Sequence, residues 1–145
     1  MTRSKRMQPV ADVARNRQQD AARQMGERQR ELDRQVERLD ELSSYRSEYA
    51  RRFEEGPENM TGMNVRDYRL FLSRLNQAIE EQARRVEQAR RELELSRGKW
   101  TASRVHDDAI HKVMDRFRED EKRQARRREQ AQEDELGQRG RHRED

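Results

Sequence analysis

The sequence predicts an all-α protein, a long antiparallel coiled-coil hairpin of two helices, and three observations carry that reading. Only 30% of the 145 residues are apolar and 44% are charged, against about 45–50% and about 25% in ordinary globular domains. Apolar residues nevertheless recur at alternating steps of three and four over long stretches, the period of helices that bury one narrow seam. A single break, Glu55-Gly56-Pro57-Glu58-Asn59-Met60-Thr61-Gly62-Met63-Asn64, divides the pattern in two. The 34 basic and 30 acidic residues nearly cancel, leaving +4, whereas disorder is favoured by low hydrophobicity joined to high net charge. Charge mixed with regular apolar spacing argues for long helices instead.

The first helix is expected over about residues 10–55, with Pro9 tolerated in its first turn. Its seam is Met25, Leu32, Leu39, Arg46 and Phe53, with Ala22, Gln29, Val36, Ser43 and Ala50 as the companion series. Toward the N-terminus Ala11, Ala14, Ala21 and Ala22 replace larger residues. Such side chains suit either close approach of a second helix or a solvated helix of high propensity. Gly26 costs that helix about 1 kcal/mol relative to alanine.

The break spans residues 56–64. Gly56 can adopt the left-handed conformation that closes a helix, and Pro57 has no N–H with which to continue one. Asn64 is a suitable N-cap, Asp67 completes a weak capping box, and Met63 with Tyr68 has the spacing of a hydrophobic staple.

The second helix is expected over about residues 65–135. Val65, Leu72, Ile79, Val86, Leu93 and Trp100 recur every seven residues, with Tyr68, Leu75, Gln82, Ala89, Ser96, Ser103, Ile110 and Phe117 as companions. Met114 rejoins the first series after Asp107. Acid-first pairs such as Glu48/Arg52, Glu81/Arg85 and Glu119/Arg123 support the exposed faces. At 1.5 Å per residue the helices would run about 70 Å and about 105 Å. Folded about residue 59, position i would face about 118 minus i, so helix two outruns its partner beyond Asp108. The overhang of Ile110, Val113, Met114 and Phe117 is then either covered by an extension of helix one through residues 1–9 or left open for another protein. Residues 136–145 are expected to form a disordered polar tail.

The chain holds no cysteine, which excludes a disulfide framework and thiolate metal sites. Its basic start lacks the apolar run of a secretory signal, and no stretch approaches the roughly 20 apolar residues of a membrane span. A cytoplasmic protein is the expectation. Asp107 and His111 lie four apart, yet only His106 and His142 remain as further imidazoles, so no metal or cofactor is expected. Residues 1–30 carry eight basic against three acidic residues, and Arg126-Arg127-Arg128 forms a second basic run. No aromatic side chains are interleaved for base stacking, so a solvated face or a protein contact fits this charge better than nucleic acid. No catalytic constellation is present, and a two-helix hairpin offers no cleft that shifts pKa values or excludes water. An enzyme is not expected.

Near the break the pattern is more apolar than one seam requires. Leu42, Tyr45 and Tyr49 form a second stripe on helix one, and Phe71, Leu75 and Ala78 flank Leu72 and Ile79 on helix two. Either a wide core absorbs them or they form a shallow aromatic patch for a partner.

Asp20-Ala21-Ala22-Arg23, Gly26-Glu27, Leu39, Leu42, Tyr45 and Glu48-Tyr49 before the break resemble the FliJ family of the bacterial flagellar export apparatus. So do Tyr68-Arg69-Leu70-Phe71-Leu72, Leu75, Ala78-Ile79-Glu80 and Trp100 after it. The resemblance covers about residues 10–120. It implies a hairpin similar to the central stalk (γ) subunit of rotary ATPases and a role in flagellar biogenesis and motility through type III protein export. The implied partners are the hexameric export ATPase, the cytoplasmic side of the export gate, and export chaperones. The implied location is cytoplasmic, peripheral to the inner face of the membrane at the flagellar base, without membrane insertion. Gate-docking residues carry over onto Leu42, Tyr45, Tyr49, Phe71, Leu75, Ala78 and Gln82. Arg38 stands where the family has a glutamine, and Gln82 where a histidine can stand. Ile110, Val113, Met114 and Phe117, with the basic N-terminal segment, would be the ATPase-ring contact. The competing reading is a cytoplasmic coiled-coil scaffold or homodimer unrelated to secretion.

Overall fold

A computed structural model of the chain describes residues 1–56 and 65–144. Two helices make it up, α1 (Arg3–Glu55) and α2 (Val65–Glu144). Gly56 ends α1 with φ of 137°, a backbone angle open to glycine because it has no Cβ. The expected turn over 57–64, with its Asn64 cap and Met63 staple, lies outside the described residues. Contacts among the described residues group into two compact units, one of residues 21–100 and the other of residues 1–20 with 101–145.

In the unit of residues 21–100 the helices pack antiparallel. Gln35 meets Gln82 and Phe53 meets Tyr68, so paired positions total 117 to 121, close to the expected 118. On α2, Tyr68, Leu75, Gln82, Val86, Ala89, Leu93 and Ser96 are buried, and Leu72, Ile79 and Trp100 are half-buried. Val65 alone of the expected series here is exposed, at 50%. On α1, Ala22, Met25, Gln29, Leu32, Val36 and Leu39 are half-buried, whereas Ser43 and Arg46 are exposed. A serine and an arginine gain nothing from a dry seam, and the aromatic side chains beside them take their place.

The seam carries one buried polar pair. Gln82, 5% exposed, donates through Nε2 to the Gln35 carbonyl oxygen at 2.9 Å and to Gln35 Oε1 at 2.7 Å. Gln35 Nε2 in turn donates to Glu31 Oε1 at 2.7 Å. That bond, followed by those from Arg34, holds the Glu31 carboxyl below the usual glutamate range. A buried amide is tolerated because its donors find acceptors.

In the unit built from both termini, α1 begins at Arg3 with Pro9 inside the helix. The expected start near residue 10 is corrected by six or seven residues. The reason is tertiary. Glu121 on α2 accepts from the Ser4 backbone N–H at 3.0 Å and from Ser4 Oγ at 2.8 Å, so it caps a helix whose own first turn has no acidic residue. Those two bonds, backbone first, hold the Glu121 carboxyl below its ordinary range. Thr2 Oγ1 accepts from the Lys5 backbone N–H at 3.4 Å as well, and these caps together with the burial of Ala11, Ala14 and Met114 offset the hydrogen bond that Pro9 cannot make.

This extension settles which of the two readings of the overhang holds: α1 covers it. Ser4 pairs with Glu121 and Arg15 with His111, totals of 125 and 126, so α1 reaches seven or eight positions further along α2 than a fold about residue 59 gives. Ala11 and Ala14 are each 3% exposed and Met114 is 2% exposed. The register places Ala11 opposite Met114, so small residues on one helix receive the long, adaptable one on the other. At the other end α2 continues to Glu144, through the residues 136–144 expected to be a disordered tail. Gly137 and Gly140 sit inside the helix without interrupting it.

Candidate functional site

Tyr45 and Tyr49 stand one turn apart on α1, and Phe71 stands on α2 beside them. Their ring centroids lie 4.7 Å (Tyr45–Tyr49), 4.9 Å (Tyr49–Phe71) and 6.1 Å (Tyr45–Phe71) apart. These are tilted and edge arrangements, in which ring edges meet ring faces. The Arg52 guanidinium lies 5.9 Å from the Tyr49 centroid, a cation–π distance. Below them Phe53 stacks on Tyr68 at 3.9 Å and 3°. That pair belongs to the seam, for Tyr68 is only 8% exposed.

The cluster stays open because α1 and α2 form a single layer of two helices. A ring outside the seam finds neighbours on its own helix and one partner across, with water on the remaining side. Tyr45 remains 42% exposed, while Tyr49 and Phe71 are half-buried. The Tyr45 phenol is held above its ordinary range, first by its hydrogen bond with Tyr49 and then by burial. Together the rings offer a rigid apolar surface edged by hydroxyls and by Arg52, chemistry suited to a protein contact rather than to bond making or breaking.

The sequence-derived patch separates into two layers. Tyr45, Tyr49 and Phe71 come together, with Leu42 and Ala78 half-buried. Leu75 and Gln82, 8% and 5% exposed, lie inside the hairpin and present nothing to a partner. Their place in the companion series with Tyr68 already put them on the seam. Ile110, Val113 and Phe117 are likewise half-buried and Met114 fully buried, so the region singled out for the ATPase ring is largely seam.

What stands exposed near Phe117 is charge. A shallow groove there is lined by Arg3, Lys5 and Arg6 from α1 and by Arg123, Arg127 and Arg128 from α2, with Asp120 and Glu121. The Arg3 guanidinium lies over the Phe117 ring at 5.7 Å. Reading the Ser4, Met7, Ala11, Ala14 series as heptad positions would have carried α1 to this groove, but small and polar seam residues give a weak signal.

His111 donates from Nδ1 to the Asp107 carbonyl at 2.8 Å and accepts at Nε2 from Arg15 at 3.0 Å. Carbonyl oxygen and guanidinium leave no other assignment of the ring proton. Asp107 and His111 thus serve contacts within the hairpin. No group of three or more histidine or acidic side chains among the described residues is placed to hold a metal ion.

Fold and cluster together define a class: an antiparallel coiled-coil hairpin carrying an open aromatic cluster and a basic groove where the start of α1 lies along residues 117–128 of α2. The chain belongs to the FliJ family, whose model, described as Flagellar FliJ protein, matches residues 3–145. The family is a non-catalytic component of the flagellar export apparatus. No curated protein and no solved structure matches the chain. Among the described residues no helix is long and apolar enough to cross a membrane.

Proposed function

We propose that this chain is a stalk-like component of flagellar type III export that links the hexameric export ATPase to the export gate and also receives export chaperones. The observation that carries the reading is the Tyr45–Tyr49–Phe71 cluster, three rings within 4.7–6.1 Å of one another, which no third layer covers among the described residues. Aromatic side chains held rigidly and left partly wet are the usual anchors of protein interfaces. The gate-docking surface is Tyr45, Tyr49 and Phe71, flanked by Leu42 and Ala78. Leu75 and Gln82 support it from within the seam.

The ATPase ring takes the region where the start of α1 packs on residues 110–128 of α2. Ile110, Val113, Met114 and Phe117 hold α1 and α2 together there, and contact with the ring falls to the cations around them. The protein works in the cytoplasm, peripheral to the membrane at the flagellar base. The test is a pull-down of the gate's cytoplasmic region with Tyr45→Ala/Tyr49→Ala. At least a tenfold loss of gate binding is expected, about 1.4 kcal/mol or more, with ATPase binding and helix content unchanged. Full retention of gate binding would remove the docking assignment.

A further inference from the structure

Beyond Glu121 every described side chain of α2 is exposed, from Lys122 to Arg141, yet the helix continues to Glu144. This arm carries no apolar stripe, so nothing hydrophobic holds it. Its charge is sorted into consecutive seven-residue blocks. Residues 122–128 contain Lys122, Arg123, Arg126, Arg127 and Arg128 and no acid. Residues 129–135 contain Glu129, Glu133, Asp134 and Glu135 and no base. A solvated lone helix is favoured by opposite charges four residues apart. Blocks do the reverse, setting Lys122/Arg126, Arg123/Arg127 and Glu129/Glu133 as like-charged neighbours one turn apart. The first turn of α1 adds Arg3, Lys5 and Arg6 to the same groove as Arg123, Arg127 and Arg128. Two of these charges have partners on their own helix, Arg123 with Glu119 at 3.6 Å and Glu135 with Arg139 at 3.3 Å, but the like-charged neighbours inside each block remain.

We propose that the arm is a self-complementary interface for a second copy of this chain, paired antiparallel about a two-fold axis between positions 128 and 129. A two-fold axis there lays the basic block of each copy along the acidic block of the other, twice over. Lys122 and Arg123 face Asp134 and Glu135 of the second copy, and Arg128 faces its Glu129. A parallel, in-register pair would set like on like. In the antiparallel pair five cations stand against four carboxylates, repeated by symmetry. A different acidic protein would satisfy the basic block but leave Glu129, Glu133 and Asp134 of the acidic one without a counterpart on it. The interface is built from exposed ion pairs, so it is weak and salt-sensitive.

The experiment is sedimentation equilibrium of the full chain with two charge-swap variants, helix content being followed by circular dichroism. Variant one is Arg126→Glu/Arg127→Glu/Arg128→Glu, and variant two is Glu133→Lys/Asp134→Lys/Glu135→Lys. At about 20 mM salt and high micromolar concentration the unaltered chain is expected to dimerise, with an apparent dissociation constant at least about tenfold higher at 0.5 M salt. Each variant alone is expected to be monomeric, and an equimolar mixture to form a heterodimer. An unaltered chain monomeric at low salt, a variant that still self-associates, or a mixture that stays monomeric would each overturn the proposal. Because the chain has no cysteine, single substitutions give a second reading that does not depend on the swaps. Arg128→Cys should cross-link to itself at low salt and Lys122→Cys should not; cross-linking of both would mean a parallel pair and refute the arrangement.

Discussion

Truncating Met114 to alanine measures how far the terminal end of the hairpin depends on one side chain. Met114 is the most buried large side chain described, 2% exposed, and the register sets Ala11 across from it. A methionine against an alanine fills that layer largely from one side, so Met114→Ala leaves alanine facing alanine. Core truncations of this kind cost about 2–5 kcal/mol, and the value depends on how well the site collapses. Two helices with no third layer can close part of the gap, so about 3 kcal/mol is expected. In urea, with a slope of about 2 kcal/mol per molar, the midpoint should fall by about 1.5 M at unchanged slope. Circular dichroism at the helix minimum follows the transition. Leu95→Ala is the control: Leu95 is 68% exposed, and such surface changes stay within about 0.5 kcal/mol. Equal midpoints for the two variants would mean that α1 does not cover this part of α2, and the extension of α1 to Arg3 would fail with it.

Three further outcomes follow from the polar contacts. Glu121 is held below its ordinary range by Ser4; a carboxyl lowered in the folded state adds stability above its unfolded value of about 4.3, lost as pH falls through the lower folded value. Glu121→Gln should therefore flatten the stability profile on the acid side of about pH 4.3, and an unchanged acid limb would refute the cap. The Tyr45 phenol, held up by Tyr49 and by burial, should ionise above the ordinary tyrosine value of about 10. Tyr49→Phe should bring that ionisation down when phenolate absorbance is titrated. Gln82→Ala removes both bonds to Gln35 and should cost about 1–3 kcal/mol by urea unfolding, whereas Arg34→Ala, whose pairing with Glu31 is exposed, should cost under about 1 kcal/mol.

Sequence by itself determined the class of fold and most of the seam. Spacing of three and four fixes which face of a helix is apolar, and that face has few places to go in a chain so poor in apolar residues. Gly56 marked the end of α1 because only glycine readily takes its backbone angle. The aromatic excess at Tyr45, Tyr49 and Phe71 was also legible, since side chains one turn apart share a face whatever the partner helix does.

Tertiary structure alone decided depth and register. Leu75 and Gln82 stand both in the seam series and in the patch, and the position of α1 decides between the two by burying them to 8% and 5%. The start of α1 could not be read from Pro9, because the local Thr2 cap is joined there by bonds from Ser4 to Glu121, 117 positions away in sequence. Burial of Ala11 and Ala14 depends on the long side chain arriving from the facing helix. Heptads specify a face, but the close pairs across the seam, such as Gln35 with Gln82 and Ser4 with Glu121, specify which residue meets which. Those pair contacts are long-range and leave no trace in local periodicity.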